Sequence, residues 1–155
     1  MSNNKTLNCL NETHKHVRQV QMNLNLFVHD LIDRGQKHDD SKFVDPELAI
    51  FAEKTPELAK TEYGSPEYDE LLKQVQPAID NHYAKNRHHP EHWENGVNDM
   101  TLLDLLEMLA DWKAATQRNK NGNIRTSLDI NSKRFNIDSQ LKQIMENTVR
   151  EHFKD

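Results

Sequence analysis

Gly35-Gln36-Lys37-His38-Asp39-Asp40-Ser41-Lys42 sets a His-Asp pair between two helical stretches. An imidazole and a carboxylate side by side bind an ion firmly only if other parts of the chain bring further ligands. This chain has them: His16 upstream, then His82 and the cluster Arg87-His88-His89-Pro90-Glu91-His92, and finally Ala110-Asp111. Neutral imidazole and carboxylate suit Zn, Fe, Mn or Ni rather than Ca or Cu(I). The stretch therefore reads as the centre of a small helical metalloenzyme.

At 155 residues the chain fits one domain, 1-155, large enough to bury most of its apolar surface without disulfides or a structural metal. Any ion is then expected to be functional rather than a folding staple. Leu, Lys, Glu, Asp and Asn abound, while aromatic residues make up 6% and there are four glycines, a composition that favours helix over sheet. The single cysteine, Cys9, allows no internal disulfide and no Cys-rich zinc ribbon. No apolar signal core opens the sequence, and no run approaches the roughly 18 apolar residues of a membrane span. A cytoplasmic protein with no membrane contact is the expectation.

The net charge of −5 argues against stable binding to duplex nucleic acid. From Trp112 to Phe135, however, six basic residues (Lys113, Arg118, Lys120, Arg125, Lys133 and Arg134) stand against the one acid Asp129. That run follows Asp111 directly, and it either draws an anionic substrate or is a solvated basic loop.

Periodicity predicts about six to seven helices. The first runs from about Thr6 to Arg34, ended by Gly35 in a left-handed cap, with Val20, Leu24, Phe27, Val28 and Leu31 as its apolar stripe. His16 falls at the edge of that stripe, whereas His14, His29 and His152 are expected in solvent. A second helix covers Ser41 to Lys54, with Phe43, Leu48, Phe51 and Ala52 as buried candidates. Thr55-Pro56-Glu57 and Ser65-Pro66-Glu67 each resemble a helix start, with a turn at Tyr63-Gly64 between them. From Pro66, the face Tyr68, Leu71, Leu72, Val75 and Ile79 continues to His82, and Pro77 should kink the helix. A long irregular segment, from about Lys85 to Met100, carries the histidine cluster.

Thr101 and Asp104 form a capping box for a helix reaching about Arg118. Its main core face is Leu102, Leu105, Leu106, Leu109 and Trp112; a second stripe holds Asp104, Met108, Asp111 and Ala115. The Leu-rich face is core or a homo-oligomer interface. A linker near Asn119 to Asn123, a short helix near Leu128 and a last helix from about Asp138 to Phe153 complete the chain.

With His16, His38-Asp39 and Asp111 in this order on successive helices, the chain resembles the HD superfamily of metal-dependent phosphohydrolases. Its His-Asp-x-Ser-Lys-Phe and Asn-x-His-His-Pro-Glu-His-Trp segments are most similar to a group of small, uncharacterised HD-like proteins of bacteria and phages. The resemblance implies an all-α, HD-like helical bundle holding one or two divalent transition metal ions (Mn, Fe, Co, Ni or Zn). Its ligands would be His16, His38, Asp39 and Asp111, with His82, His88 and His89 as the further imidazoles of a two-metal site; which of His88, His89 and His92 binds stays open. In the same resemblance Lys42, three residues after Asp39, lies near the substrate phosphate.

The implied reaction is hydrolysis of a phosphoester of a nucleotide or a related small molecule by a metal-bound hydroxide. Lys42, Arg87 and Lys113 are candidates to neutralise phosphoryl charge, and Glu91 or Glu47 is placed to act as general acid. Catalysis would thus rest on Lys42, Arg87 and Glu91, and substrate binding on Lys42, Arg87 and Lys113. Glu12, Glu91 and Asp104 are available to orient ligand imidazoles. Two rival readings share these residues: a di-iron oxygenase of the same superfamily, and a catalytically inactive nucleotide-binding or partner-binding module.

Overall fold

A computed structural model describes residues 2–62, 64–118 and 120–153. It is all-α, with no strand among the described residues, and it divides into two compact units, Met1–Lys37 and His38–Asp155.

The first unit is one helix, α1 (Ser2–Lys37). Ion pairs one turn apart tie its surface, Glu12 to Lys15 and Asp30 to Arg34 among them, and Arg34 and Lys37 place positive charge at its C-terminal end, where the helix dipole favours it. Gly35 does not end the helix in a left-handed cap: α1 runs through it to Lys37. The left-handed residue is Asp39, at φ 60°, ψ 20°. Aspartate is one of the few non-glycine residues that tolerate this region, because its short polar side chain can bond locally. The sharp turn is therefore made by the proposed ligand itself.

The second unit opens with a 3-10 turn, Asp40–Phe43, followed by α2 (Glu47–Leu58) and α3 (Pro66–Lys85). Thr55-Pro56-Glu57 starts no new helix, because α2 continues through Pro56 to Leu58; so near the C-terminal end a proline costs the helix little more than one hydrogen bond. Ser65 does cap α3 as expected, accepting from the Tyr68 amide at 3.1 Å with Pro66 in the first turn. The helix then continues through Pro77 and buries Val75, Ala78 and His82. Tyr63 of the expected turn lies outside the described residues; Gly64 sits in a turn at φ +78°.

Two 3-10 turns, Pro90–His92 and Gly96–Asp99, give the histidine segment local structure. The unit ends with α4 (Leu102–Gln117), α5 (Ile124–Arg134) and α6 (Ser139–His152). At the start of α4 both halves of the capping box are made: Asp104 accepts from the Thr101 amide at 2.8 Å, and Thr101 Oγ1 accepts from the Asp104 amide at 3.3 Å. The core joins Met108, Leu109 and Trp112 of α4 to Ile124 and Leu128 of α5 and Met145 and Val149 of α6. Each large side chain buried there contributes roughly 1.5–3 kcal/mol.

The buried face of α4 is turned from the one expected. Leu102 is 76% exposed and Leu106 is also exposed, whereas Asp104 and Met108 are fully buried. Asp104 and Met108 of the second stripe, with Leu109 and Trp112, form the packed face; Asp111 is half-buried and Ala115 is exposed. Phe43, Leu48 and Ala52, expected inside, are likewise exposed, and Phe51 is half-buried. On α2 the fully buried residue is Glu47.

Between α4 and α5, a Cβ on Gly122 would stand 1.8 Å from the Thr116 carbonyl oxygen. Backbone cannot yield as a side-chain tip does. Gly122→Ala is therefore expected to lower unfolding stability by about 2 kcal/mol or more, read from the urea midpoint; an unchanged midpoint would show that the loop relaxes freely.

Candidate metal centre

The turn between α1 and the 3-10 turn, the C-terminal half of α3, the segment after it and the inner face of α4 deliver six donor residues to one place. They fall into two overlapping groups, Asp39-His82-His88-His89 and His38-His88-Asp111, in each of which one ligand atom per residue lies within 4.8 Å of the others. His88 belongs to both.

The imidazoles are oriented by acceptors behind them. His38 and His88 both direct Nδ1 at Glu107 Oε1, at 3.0 and 3.2 Å. His82 directs Nδ1 at Glu47 Oε2, 2.9 Å away, and Glu47 also accepts from Asn81 at 2.8 Å. A neutral histidine that donates through Nδ1 keeps its lone pair on Nε2. The Nε2 atoms of His82 and His88 stand 3.4 and 3.6 Å from the Asp39 carboxylate, and His38 Nε2, which carries a proton in the ion-free protein, stands 3.6 Å from it. His38 Nε2 is also 3.7 Å from Asp111, and His89 Nε2 lies 2.8 Å from His82 Nε2.

Whether a cation fits can be judged from two atoms. Asp39 Oδ1 and His88 Nε2 are buried, face each other and have no hydrogen-bond partner. A buried polar atom without a partner costs about 1–3 kcal/mol, and two lone pairs aimed at one point cannot satisfy each other. A cation satisfies both. The donor chemistry, imidazole with carboxylate and no thiolate, suits a divalent transition metal.

Charge in the cluster follows its contacts. The Asp111 carboxylate and then Glu107 push the His38 imidazole up to about 10, against the effect of burial. Burial, with His88 and His82 nearby, pushes His89 down to about 3. Burial alone would raise Glu107, but its bonds to His38 and His88 hold it at about 2. Burial likewise opposes ionisation of Asp39, and the Lys42 ammonium, 2.6 Å away, more than offsets it.

These shifts give the chelated protein a pH optimum of stability. The His38 contribution is complete below its unfolded value near 6.5 and is lost as pH rises through about 10. The His89 contribution is complete above 6.5 and is lost as pH falls through about 3. Melting temperature in EDTA is therefore expected to peak close to pH 6.5; a melting temperature that climbs steadily from pH 7 to 9 is incompatible with this cluster.

Other expected site residues are placed differently. His16 is exposed on α1, in the first unit, whereas all six donors above belong to the second. Arg87 gives its guanidinium to Asp104, at 2.8 and 3.2 Å, and to the face of Trp93 at 5.0 Å, which ties the histidine segment to the α4 cap. Glu91 pairs with Arg134 at 2.6 Å, Lys113 lies over the Phe153 ring, and His92 Nδ1 bonds the Tyr83 carbonyl at 2.8 Å. The expected orienting acids Glu12, Glu91 and Asp104 are each engaged with a basic side chain instead. Glu107 was missed, though it lies one turn before Asp111 and so shares its face of the helix.

Beside the cluster opens a cleft of about 710 Å³, lined in part by His38, Asp39 and Lys42. Lys42 remains 42% exposed on its wall while holding Asp39. No described helix is long and apolar enough to cross a membrane. No curated protein and no solved structure matches the chain. A family model does match, over residues 5–154, and the chain belongs to that family, DUF5662, a family of unknown function.

Proposed function

We propose that this protein is a metal-dependent phosphohydrolase acting on a nucleotide or a related small phosphoester, with one or two divalent transition metal ions held by His38, Asp39, His82, His88, His89 and Asp111. The observation that carries the reading is the facing pair of unsatisfied buried atoms, Asp39 Oδ1 and His88 Nε2, inside a ring of oriented imidazoles beside an open cleft. A divalent ion in such a site lowers the pKa of water toward neutrality and polarises a phosphoryl oxygen. Glu107 and Glu47 fix the directions of three imidazoles, so that little reorganisation is needed when charge develops. Lys42, half-exposed at the cleft wall, adds positive charge beside the donors.

The test is elemental analysis of the purified protein, coupled to product detection with a panel of nucleoside mono-, di- and triphosphates and cyclic nucleotides. Stoichiometric Mn, Fe, Co, Ni or Zn with phosphate release supports the reading. The same donors also serve a di-iron oxygenase; turnover of a phosphoester with Mn or Co under anaerobic conditions rules that chemistry out as the source of product. A bound ion with no turnover of any phosphoester would leave a binding module.

A further inference from the structure

We infer that the cleft beside the metal centre binds a phosphomonoester whose other half is flat and apolar, with Arg118 as the anion-binding residue and Phe43 and Phe51 as the stacking wall. This inference rests on the phosphohydrolase reading for the reaction, but not for the binding. Metal donors His38 and Asp39 share the lining with Phe43 and Phe51. Phe43 is 72% exposed. A phenylalanine left in water beside a set of metal ligands gains nothing for the fold, and exposed apolar surface grouped around a concavity marks a ligand surface.

The cations of the cleft are not equivalent. Lys42 is bonded to Asp39 at 2.6 Å, so much of its charge is already compensated. Arg118, the C-cap residue of α4, lines the same cleft and makes no ion pair with any carboxylate among the described residues. A planar guanidinium with unused donors next to apolar walls suits a phosphate oxygen pair bound in two-point fashion. Among the described residues of the lining, Thr55 is the one neutral polar side chain. Such a wall can stack a ring but can hardly read the hydrogen-bonding edge of a nucleobase. The ligand class is therefore an aryl or nucleoside monophosphate, bound with little discrimination among bases.

The experiment titrates hydrolysis-resistant probes into the purified protein by calorimetry: methylphosphonate, 1-naphthylmethylphosphonate, and the methylene-phosphonate analogues of adenosine and guanosine 5′-monophosphate. The naphthyl probe is expected to bind about tenfold or more tightly than methylphosphonate, from stacking and apolar burial. Phe43→Ala should remove most of that advantage and leave methylphosphonate unchanged, while Arg118→Gln should weaken both about tenfold. The adenosine and guanosine analogues should agree within about threefold, as stacking without edge contacts implies. Equal affinity for the two simple phosphonates, wild-type affinities in both variants, or a strong preference for one base would each overturn the inference. Both substituted residues are exposed, and an unchanged melting temperature confirms that the variants fold. Aryl binding that depends on Phe43 and Arg118, in a protein that hydrolyses no phosphoester, would sink the hydrolase reading and leave the cleft standing. Turnover with binding indifferent to both residues would do the reverse.

Discussion

Asp39→Asn is expected to leave the protein folded and nearly devoid of bound metal, with affinity for a divalent ion reduced more than about 100-fold and phosphoester turnover lost. The loss should exceed the 10–100-fold typical of removing a partner that merely orients a ligand, because Asp39 stands within 3.6 Å of three imidazoles at once, those of His38, His82 and His88. Asparagine is the informative replacement. It keeps the shape and tolerates the left-handed backbone at φ 60°, so a changed metal content cannot be assigned to a broken turn. The amide is neutral and would face two imidazole nitrogens with an uncharged group. Lys42 loses its partner as well, but it is partly exposed, so the stability cost on that account is small. Metal content by elemental analysis and affinity by competition with a chromophoric chelator check the expectation. A variant that retains stoichiometric metal would remove Asp39 from the centre, and the proposed function with it.

How far the sequence could be read depends on which interactions set each feature. Helix starts governed by local chemistry were legible: Ser65-Pro66 and Thr101 with Asp104 each form the cap their spacing implies. His38, Asp39, His82, His88, His89 and Asp111 do assemble, and chain order with residue type carried that much. What failed was what tertiary context decides. Glycine's preference for left-handed backbone marks Gly35 as a stop, yet α1 runs through it and Asp39 takes that conformation. Hydrophobic periodicity placed Leu102 and Leu106 inside, while the buried face of α4 carries Asp104 and Met108. A helix that must present carboxylates to a polar centre on one side and apolar residues to a core on the other has no single hydrophobic stripe to detect. The same cause hid Glu107, and it hid the burial of Glu47, a candidate general acid that instead bonds His82. Burying an acid is unfavourable in itself, and it is compensated here by histidines from segments 35 and 19 residues away in sequence, a pairing invisible to local pattern. Arg87 illustrates the converse, since a cation beside a histidine cluster looked available for substrate and is held by Asp104.

Glu107→Gln should produce the second largest effect, a fall of about 10–100-fold in metal affinity with every donor residue still present. One Glu107 oxygen serves two imidazoles, His38 at 3.0 Å and His88 at 3.2 Å, and its burial is tolerated because both bonds favour the charged carboxylate, held at about 2. Glutamine keeps one carbonyl oxygen but loses the charge, so both histidines are held more weakly and their Nε2 atoms less firmly directed. A purely structural role would be met by glutamine's matching size, and metal affinity would then be unchanged. Acid stability provides a second readout. Glu107 has its folded pKa below its unfolded value of about 4.5, so its contribution is complete above pH 4.5 and is lost as pH falls through about 2. In EDTA, the stability difference between wild type and Glu107→Gln should therefore narrow progressively between those values. Parallel profiles down to pH 2 would show that Glu107 is not ionised against these histidines. The orienting role would then fail, even if the ligands themselves were right.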